Sequence, residues 1–310
     1  MSNNNGLKNI KPKAVGGQAV IEGVMMKGAE DIAIAVRKPD GEIIIDKQKI
    51  KSNRKLINKI PIIRGIFAFG DSLVLGVKSL MFSAEFFEEE TEETDKKEPS
   101  KLDKFLENNV VWISVLISLV FTITLFILFP TFAVDLFKGL TKNALLLNGI
   151  EGVIRITVFV LYIFAVSKMK EIKRVFQYHG AEHKTIFCYE YGEELTVENV
   201  KKHGRLHPRC GTSFLFIVMM VSILLFSFFS WPNRWVRFAT RILLMPLVAG
   251  ISYELIKWAG RSRSRLACIL SAPGMWLQKI TTKEPDEKQI EVAIAALKGV
   301  LVEDPEADNW

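Results

Sequence analysis

The stretch VVWISVLISLVFTITLFILFP, residues 110–130, decides the fold, because its 21 consecutive positions carry no charged side chain. A second stretch without charge, CGTSFLFIVMMVSILLFSFFSWPN, covers residues 210–233. Both are at least as long as the roughly 20 apolar residues that an α-helix needs to cross the hydrocarbon layer of a bilayer. They predict two membrane-spanning helices.

Two further segments, residues 144–167 and 235–258, are apolar but contain charges. These are Glu151 and Arg155 in the first segment and Arg237, Arg241, Glu254 and Lys257 in the second. Such segments also occur as buried helices of soluble proteins, but two membrane helices need neighbours that bury their polar groups. We therefore predict a mainly α-helical, polytopic membrane bundle of about four spans over residues 110–258. Within it, Glu151 is the expected partner of Arg155 and Arg241.

The basic residues predict how the bundle is oriented. Residues 168–211 contain nine lysines and arginines, and RSRSR follows the last span at 261–265, whereas only Lys138 and Lys142 lie between the first two spans. Basic residues mark the cytosolic side, and the polar start of the chain resembles no signal peptide. We expect a multi-pass protein of the cytoplasmic membrane with both termini and its three cysteines, as reduced thiols, in the cytosol. The net charge of +7 suits anionic lipid headgroups better than nucleic acid, because it is concentrated at span ends.

Residues 1–59 form a predicted cytosolic, β-rich module. Two strand-like runs flank the turn sequence PDG at 39–41, and the glycine-rich stretch VGGQAVIEGVMMKG precedes them at 15–28. The glycine spacing matches neither a P-loop nor a dinucleotide-binding motif. Glu22 lies between these glycines, where an exposed turn glutamate is the simpler interpretation and a catalytic one the alternative.

Residues 60–87 predict an amphipathic helix, because Arg64, Asp71, Lys78 and Glu85 recur every seven positions among apolar residues. Four charges are expensive inside a bilayer, so we place this helix in the membrane interface, with a fifth span as the alternative. We expect an acidic, disordered linker at 88–109. The remaining residues, 259–310, predict a basic cytosolic tail with an amphipathic helix at 286–302.

All four histidines fall within 29 consecutive positions, beginning in YHGAEHKTIFC at 178–188. His179 and His183 are four residues apart and share one face of a helix, so both imidazoles can reach one ion. The pattern His-x-x-Glu-His is that of inverted zinc peptidases, in which the glutamate, here Glu182, is the general base. The cytosolic histidine-rich loop at 168–211 is therefore a candidate metal site.

Other residues extend the candidate site. His207 and Cys210 are three residues apart in HPRC, a spacing found in zinc sites, and His203 is a further imidazole. Glu254 is either an acidic ligand or an ion-pair partner of Lys257 or Arg174. Nitrogen and sulfur ligands favour a divalent metal such as zinc, with iron and manganese as alternatives, and simple contact with lipid headgroups is the alternative to a metal site.

Four motifs in order, GGQAVIEGVMMKG, IPIIRGIFAFGDSLVLGVKSL, YHGAEHKTIFCYE and HPRCGTSFL, resemble the YqhQ-like family, built on domain of unknown function 1385. The resemblance covers roughly residues 14–280. It implies a bacterial multi-span membrane protein with metal-dependent enzyme activity and no settled substrate. The residues to which the resemblance gives weight are His179, Glu182, His183, His207, Cys210, Gly17, Gln18, Glu22, Gly23, Arg64 and Asp71.

The function that we expect is a metal-dependent, hydrolase-like reaction at the cytosolic membrane surface. Glu182 would take a proton from water that the metal activates, and the Gly16–Gly28 stretch would fold over the site. The substrate would be a lipid headgroup, a segment of a membrane protein or a cytosolic molecule. One alternative is a non-enzymatic assembly or docking factor with a structural metal. A transporter fits less well, because the first and third spans lack the ionisable residues of a transport path.

Overall fold

The structure of the chain is a computed structural model, which describes residues 13, 15–50, 59–87, 101–141, 143–229, 233–262 and 264–302. For residues 101–108, 110–112, 144 and 234 it describes the backbone alone. Most of the predicted acidic linker, residues 88–100, lies outside this part of the chain. The remainder, residues 101–109, is the beginning of a helix.

The described part is mainly helical with one small β-sheet, as predicted. The strands are β1 (Gly16–Val20), β2 (Gly23–Lys27), β3 (Asp31–Arg37) and β4 (Ile43–Lys49). The helices are α1 (Ile63–Ala84), α2 (Lys101–Ile123), α3 (Phe129–Ala133), α4 (Ala144–Val166), α5 (Lys170–Glu190), α6 (Val197–Lys202), α7 (Gly211–Ser227), α8 (Arg234–Arg261), α9 (Arg265–Thr281) and α10 (Glu287–Val300). A π-helical turn precedes α3 and a 3-10 turn follows it.

Four helical segments of the described chain are long and apolar enough to cross a membrane: Ile63–Ala84, Ile113–Phe137, Leu145–Val166 and Trp235–Arg261. The number agrees with the prediction, but the set differs. Helix α7 has only 17 residues, about 26 Å at 1.5 Å per residue, and is shorter than the span predicted over 210–233. Helix α1 qualifies by length and composition, so its placement in the membrane interface stays a prediction.

The chain divides into two compact units. The first consists of residues 1–87, 163–221 and 246–310, and the second of residues 88–162 and 222–245. The β-sheet and all four histidines belong to the first unit, whereas Glu151 belongs to the second.

The β-sheet of the first unit is an antiparallel meander in the order β1-β2-β3-β4. The two runs predicted around PDG are β3 and β4, and Gly41 between them has a φ of 93°, which glycine adopts without strain. Both faces of the sheet are covered. Val24 and Met26 pack towards α5 and α10, and Met25 and Ile34 pack towards α1. The sheet is therefore an inner layer that supports α5.

Helix α10 confirms the amphipathic helix predicted at 286–302. It begins with a capping box, in which Asp286 and Gln289 each accept a hydrogen bond from the other's backbone N–H. Ile290 and Leu297 are buried in the same core as α5 and the sheet. The tail also contains α9, a helix that was not predicted.

The second unit buries one carboxylate among three guanidinium groups. Glu151 accepts hydrogen bonds from Arg155, Arg237 and Arg241, with 3.1 Å from Arg155 Nη2 to Oε1 and 2.7 Å from Arg241 Nη2 to Oε2. Thr131 Oγ1 accepts a further hydrogen bond from Arg241 at 2.6 Å. The predicted pairing of Glu151 with Arg155 and Arg241 is confirmed, and Arg237 is an additional partner.

Candidate metal centre

Helix α5 places His179 and His183 on one face. Its sequence contains no proline and one glycine, Gly180, so the helix runs without interruption from Lys170 to Glu190. The segment that we described as a histidine-rich loop is thus largely helical, and α6 adds a second helix. The centroids of the two imidazole rings are 4.4 Å apart, as expected for positions i and i+4.

Backbone carbonyl groups orient both imidazoles. Nδ1 of His179 lies 2.9 Å from the carbonyl oxygen of Thr281, and Nδ1 of His183 lies 2.6 Å from that of Arg205. A carbonyl oxygen only accepts, so each Nδ1 carries a proton and donates it. This contact directs the Nε2 atom of each ring away from the carbonyl, as in histidines that ligate metals.

Cys210 brings a sulfur atom to the same place. Its Sγ lies 3.1 Å from Nε2 of His179, and the backbone N–H of Thr212 donates to Sγ at 3.4 Å. Burial works to raise the pKa of the Cys210 thiol, but the imidazoles of His179 and His183 outweigh it and hold that pKa well below its usual range. The thiolate is the form that ligates metals.

We refer to His179, His183 and Cys210 as the ligand group, because one ligand atom of each lies within 4.8 Å of the others. Glu182 lies beside them, and burial raises the pKa of its carboxyl group. Among the residues that the structure describes, Nε2 of His183 and Oε2 of Glu182 are buried and have no hydrogen-bond partner. A buried polar atom without a hydrogen-bond partner destabilises the folded protein by about 1–3 kcal/mol. A cation bound to these atoms would offset that loss.

Strand β1 covers Glu182. A Cβ atom on Gly17 would lie 2.9 Å from Cδ of Glu182 and 2.8 Å from the carbonyl oxygen of Met25, so only glycine fits there. The backbone N–H of Gly17 donates a hydrogen bond to the Glu182 carboxylate. The glycine-rich stretch therefore folds over the site at this position, as predicted.

Replacing Gly17 by alanine is expected to destabilise the protein by about 2 kcal/mol, because the added methyl group forces β1 away from Glu182. The midpoint of thermal unfolding in detergent measures this effect. The matched control is Gly16→Ala, since a Cβ atom at Gly16 meets nothing within 4 Å. Equal midpoints for the two variants would contradict the close contact between β1 and Glu182.

His207, predicted as a metal ligand, does not join the ligand group. Its Nδ1 accepts a hydrogen bond from the backbone N–H of Arg209 at 3.3 Å, and its Nε2 lies 3.4 Å from Oε2 of Glu190. Both ring nitrogens are thus engaged, and burial lowers the pKa of His207 to about 4. The centroid of the His207 ring lies 5.6 Å from the centroid of the His183 ring. His207 therefore packs against the ligand group without belonging to it.

Glu22, predicted as a second catalytic residue, lies in the β1–β2 turn with a φ of 48°. Its Oε2 accepts hydrogen bonds from Nη2 of Arg174 at 2.5 Å and from the hydroxyl of Tyr178 at 3.1 Å. Arg174 and Tyr178 both belong to α5. The carboxylate therefore ties the turn to α5, and it is not one of the three converging ligands.

The other residues of the glycine-rich stretch have packing contacts. A Cβ atom on Gly76 of α1 would lie 2.8 Å from Oε1 of Gln18, so this amide lies against that helix. A Cβ atom on Gly23 would lie 2.4 Å from the carbonyl oxygen of Ala35. Gly23 is therefore required for the close approach of β2 and β3.

Glu254 forms its ion pair with Arg64, whereas the expected partner Lys257 interacts with it only electrostatically, and neither Arg174 nor the ligand group contacts it among the described residues. Nε of Arg64 donates to Oε1 of Glu254 at 2.7 Å, and the backbone N–H of Ile62 donates to the same oxygen at 3.2 Å. This pair fixes the beginning of α1 against α8. Asp71 is exposed further along α1 and also lies outside the ligand group.

His203 belongs to a second group, with Cys188 and Glu193, whose candidate ligand atoms also lie within 4.8 Å of one another. Nε2 of His203 lies 3.2 Å from Oε2 of Glu193. Burial raises the pKa of the Cys188 thiol to about 11, and the thiol donates to the carbonyl oxygen of Glu194 at 3.5 Å. A protonated thiol is a poor metal ligand, so this group is the weaker candidate.

Three residues that support the site, Thr281, Arg205 and Glu190, could not be recognised from the sequence. Thr281 and Arg205 act through backbone carbonyl groups, which every residue type possesses. Glu190 is 3% exposed and accepts a hydrogen bond from the backbone N–H of Lys13 at 3.2 Å. It also pairs with Arg209, so it holds the turn before Cys210 against α5.

Comparisons with known proteins agree with the resemblance found in the motifs. A family model described as a protein of unknown function (DUF1385) matches residues 60–303. The chain is 38% identical over 302 residues to the uncharacterized protein YqhQ of Bacillus subtilis (strain 168), an alignment that covers 95% of this chain and 94% of that protein. No solved structure matches the chain.

Proposed function

The chain belongs to the DUF1385 family of proteins of unknown function, and we propose that it is a membrane-bound, metal-dependent enzyme with hydrolase-like chemistry. In this proposal, His179, His183 and Cys210 bind a divalent cation, and Glu182 is the general base. Two nitrogens and one sulfur are a ligand set that favours zinc over magnesium or calcium.

The proposal rests above all on the convergence of the ligand group. The structure brings the partly buried imidazole of His179, the buried imidazole of His183 and the buried thiol of Cys210 together, with their ligand atoms within 4.8 Å, while the carbonyl groups of Thr281 and Arg205 orient the two imidazoles. Ligand atoms gathered in this way repel one another unless protons or a cation lie between them. A cation at this position would coordinate the buried Nε2 of His183, which has no hydrogen-bond partner among the described residues, and would balance the charge of the Cys210 thiolate.

The number of protein ligands favours catalysis over a structural role. Structural zinc sites have four protein ligands, whereas catalytic sites have three and an open fourth position. The ligand group contains three residues. A zinc ion bound there would supply Lewis acidity that lowers the pKa of water to about 7.

Glu182 is arranged to accept a proton. The Gly17 N–H holds its carboxylate, while Oε2 has no partner among the described residues. Burial raises the pKa of the carboxyl group, which makes the carboxylate a stronger base for proton transfer. The distance to a substrate proton depends on the substrate, which would be a lipid headgroup, a membrane-protein segment or a cytosolic molecule.

The test of this role is Glu182→Gln, which keeps the shape of the side chain and removes the base. We expect the purified variant to retain wild-type metal content and to lose about 10²–10⁴-fold in rate. Because the substrate is unidentified, the probe is a bacterial lipid and metabolite extract incubated with zinc-loaded protein, with products compared by mass spectrometry. If Glu182→Gln forms the same products as quickly as the wild type, Glu182 is not the base.

We also propose that the protein resides in the cytoplasmic membrane with both termini and the ligand group on the cytosolic side. The basic residues of 168–211 and the RSRSR sequence at 261–265 support this orientation, and they would contact anionic headgroups. The alternative function is a membrane assembly or docking factor with a structural metal. A fourth protein ligand, seen by metal spectroscopy, would favour that alternative.

A further inference from the structure

We propose that the buried charge cluster of the second unit, formed by Glu151, Arg155, Arg237 and Arg241, binds a small anion of the halide class, with chloride as its natural occupant. Three guanidinium groups surround one carboxylate, which leaves an excess of two positive charges. Among the other described side chains of this unit, Asp135 interacts electrostatically with Arg237 and pairs with Lys138 at 2.7 Å, so these two residues add one charge of each sign. They leave the excess unchanged.

The excess charge is buried. Arg155 and Arg237 are each 7% exposed, and Arg241 is 2% exposed. Arginine keeps its proton in proteins, so the cluster cannot become neutral by deprotonation. Uncompensated charge within apolar helices is costly, and an anion is the direct means of reducing this cost.

A small cavity lies within the cluster. It is bordered by Arg155, Arg241, Asn148, Glu151 and Phe226, and its volume is about 10 Å³. This is about the space that one water molecule occupies. A chloride ion is somewhat larger than a water molecule and fits only if the lining side chains move outward slightly, whereas a phosphate group or a lipid headgroup is far too large.

The hydrogen-bonding groups around the cavity favour an anion over water. Nε of Arg155 and Nε of Arg241, the two arginines that border the cavity, are buried without a partner among the described residues, and so is Nε of Arg237 elsewhere in the cluster. Both oxygens of Glu151 already accept hydrogen bonds from arginines, and Oε1 accepts one from Thr131 at 3.2 Å. A water molecule needs acceptors for its own two protons, but a halide needs only donors. The Glu151 carboxylate repels the anion, and the three guanidinium groups outweigh that repulsion.

The test measures thermal unfolding of the full-length protein in detergent at constant ionic strength, while sodium chloride or bromide replaces sodium gluconate. We expect the midpoint to rise with saturation in both halides, by about 3 °C at ten times the dissociation constant. Sodium phosphate should give the same midpoint as gluconate. Identical midpoints in chloride and gluconate would overturn the proposal. A rise only in phosphate or with phosphatidylglycerol vesicles would also overturn it and would assign the cluster to a larger anion.

Two variants change the excess charge in opposite directions. Glu151→Gln raises the excess to three and should enlarge the halide-dependent shift, whereas Arg155→Gln removes one charge and one donor and should abolish it. The control is Lys257→Gln. Lys257 belongs to the part of α8 that lies in the first unit, so its replacement should leave the shift unchanged. If both cluster variants fail to fold, bromide-soaked crystals of the wild type decide. An anomalous peak between Arg155 and Arg241 supports the proposal, and its absence overturns it.

Discussion

Replacement of His183 by alanine is expected to remove the metal from the purified protein. Nε2 of His183 is one of only three atoms in the ligand group, so its loss leaves two protein ligands. We expect an affinity loss of at least about tenfold, because changes even in the groups that orient ligands have effects of that size. Elemental analysis of detergent-purified protein after dialysis against a weak chelator measures the metal content.

The matched control is His203→Ala, which removes an imidazole from the same segment but outside the ligand group. His203 interacts with Glu193, and its removal should leave the metal content at the wild-type value. Equal metal content in His183→Ala and the wild type would contradict the assignment. A loss of metal in His203→Ala alone would move the site to the Cys188 group.

The second large effect is expected for Glu190→Gln, which we predict to destabilise the protein by about 3 kcal/mol. The carboxylate is buried and pairs with Arg209, whose side chain is 10% exposed. Removal of one partner from such a pair leaves a buried charge, and 3–5 kcal/mol is typical for this change. The expected fall in the midpoint of thermal unfolding is roughly 6 °C. Metal affinity should fall as well, because Glu190 holds the turn that precedes Cys210.

Glu193→Gln is the control for Glu190→Gln. Its side chain is 41% exposed, so its ion pair with His203 is screened by solvent and worth less than about 1 kcal/mol. If the two variants unfold at the same temperature, the buried network of Glu190, Arg209 and His207 does not stabilise the site.

Periodicity and composition predicted the larger features of the fold. Long charge-free stretches predicted apolar helices, PDG predicted the β3–β4 turn, and the acidic start of residues 286–302 predicted α10. The ends of the helices were harder to predict, since an uncharged stretch such as 210–233 does not indicate where its helix stops. The four-residue spacing of His179 and His183 was informative because it follows directly from helix geometry.

The remainder of the site depends on contacts between distant segments. The HPRC spacing suggested that His207 and Cys210 act together, but the buried carboxylate of Glu190 turns the His207 ring away from the ligand group. The carbonyl groups of Thr281 and Arg205 orient the imidazoles from elsewhere in the chain. The partner of Glu254 is Arg64, 190 positions away, and no local pattern connects the two.

X-ray absorption spectroscopy of the purified, metal-loaded protein is the most direct measurement of the central claim, that His179, His183 and Cys210 bind one cation. For zinc, we predict a first shell of two imidazole nitrogens at about 2.0–2.1 Å and one sulfur at about 2.3 Å, with one lighter atom from solvent. Cys210→Ser should remove the sulfur contribution. A first shell without sulfur, or a wild-type protein that retains no metal, would contradict the claim.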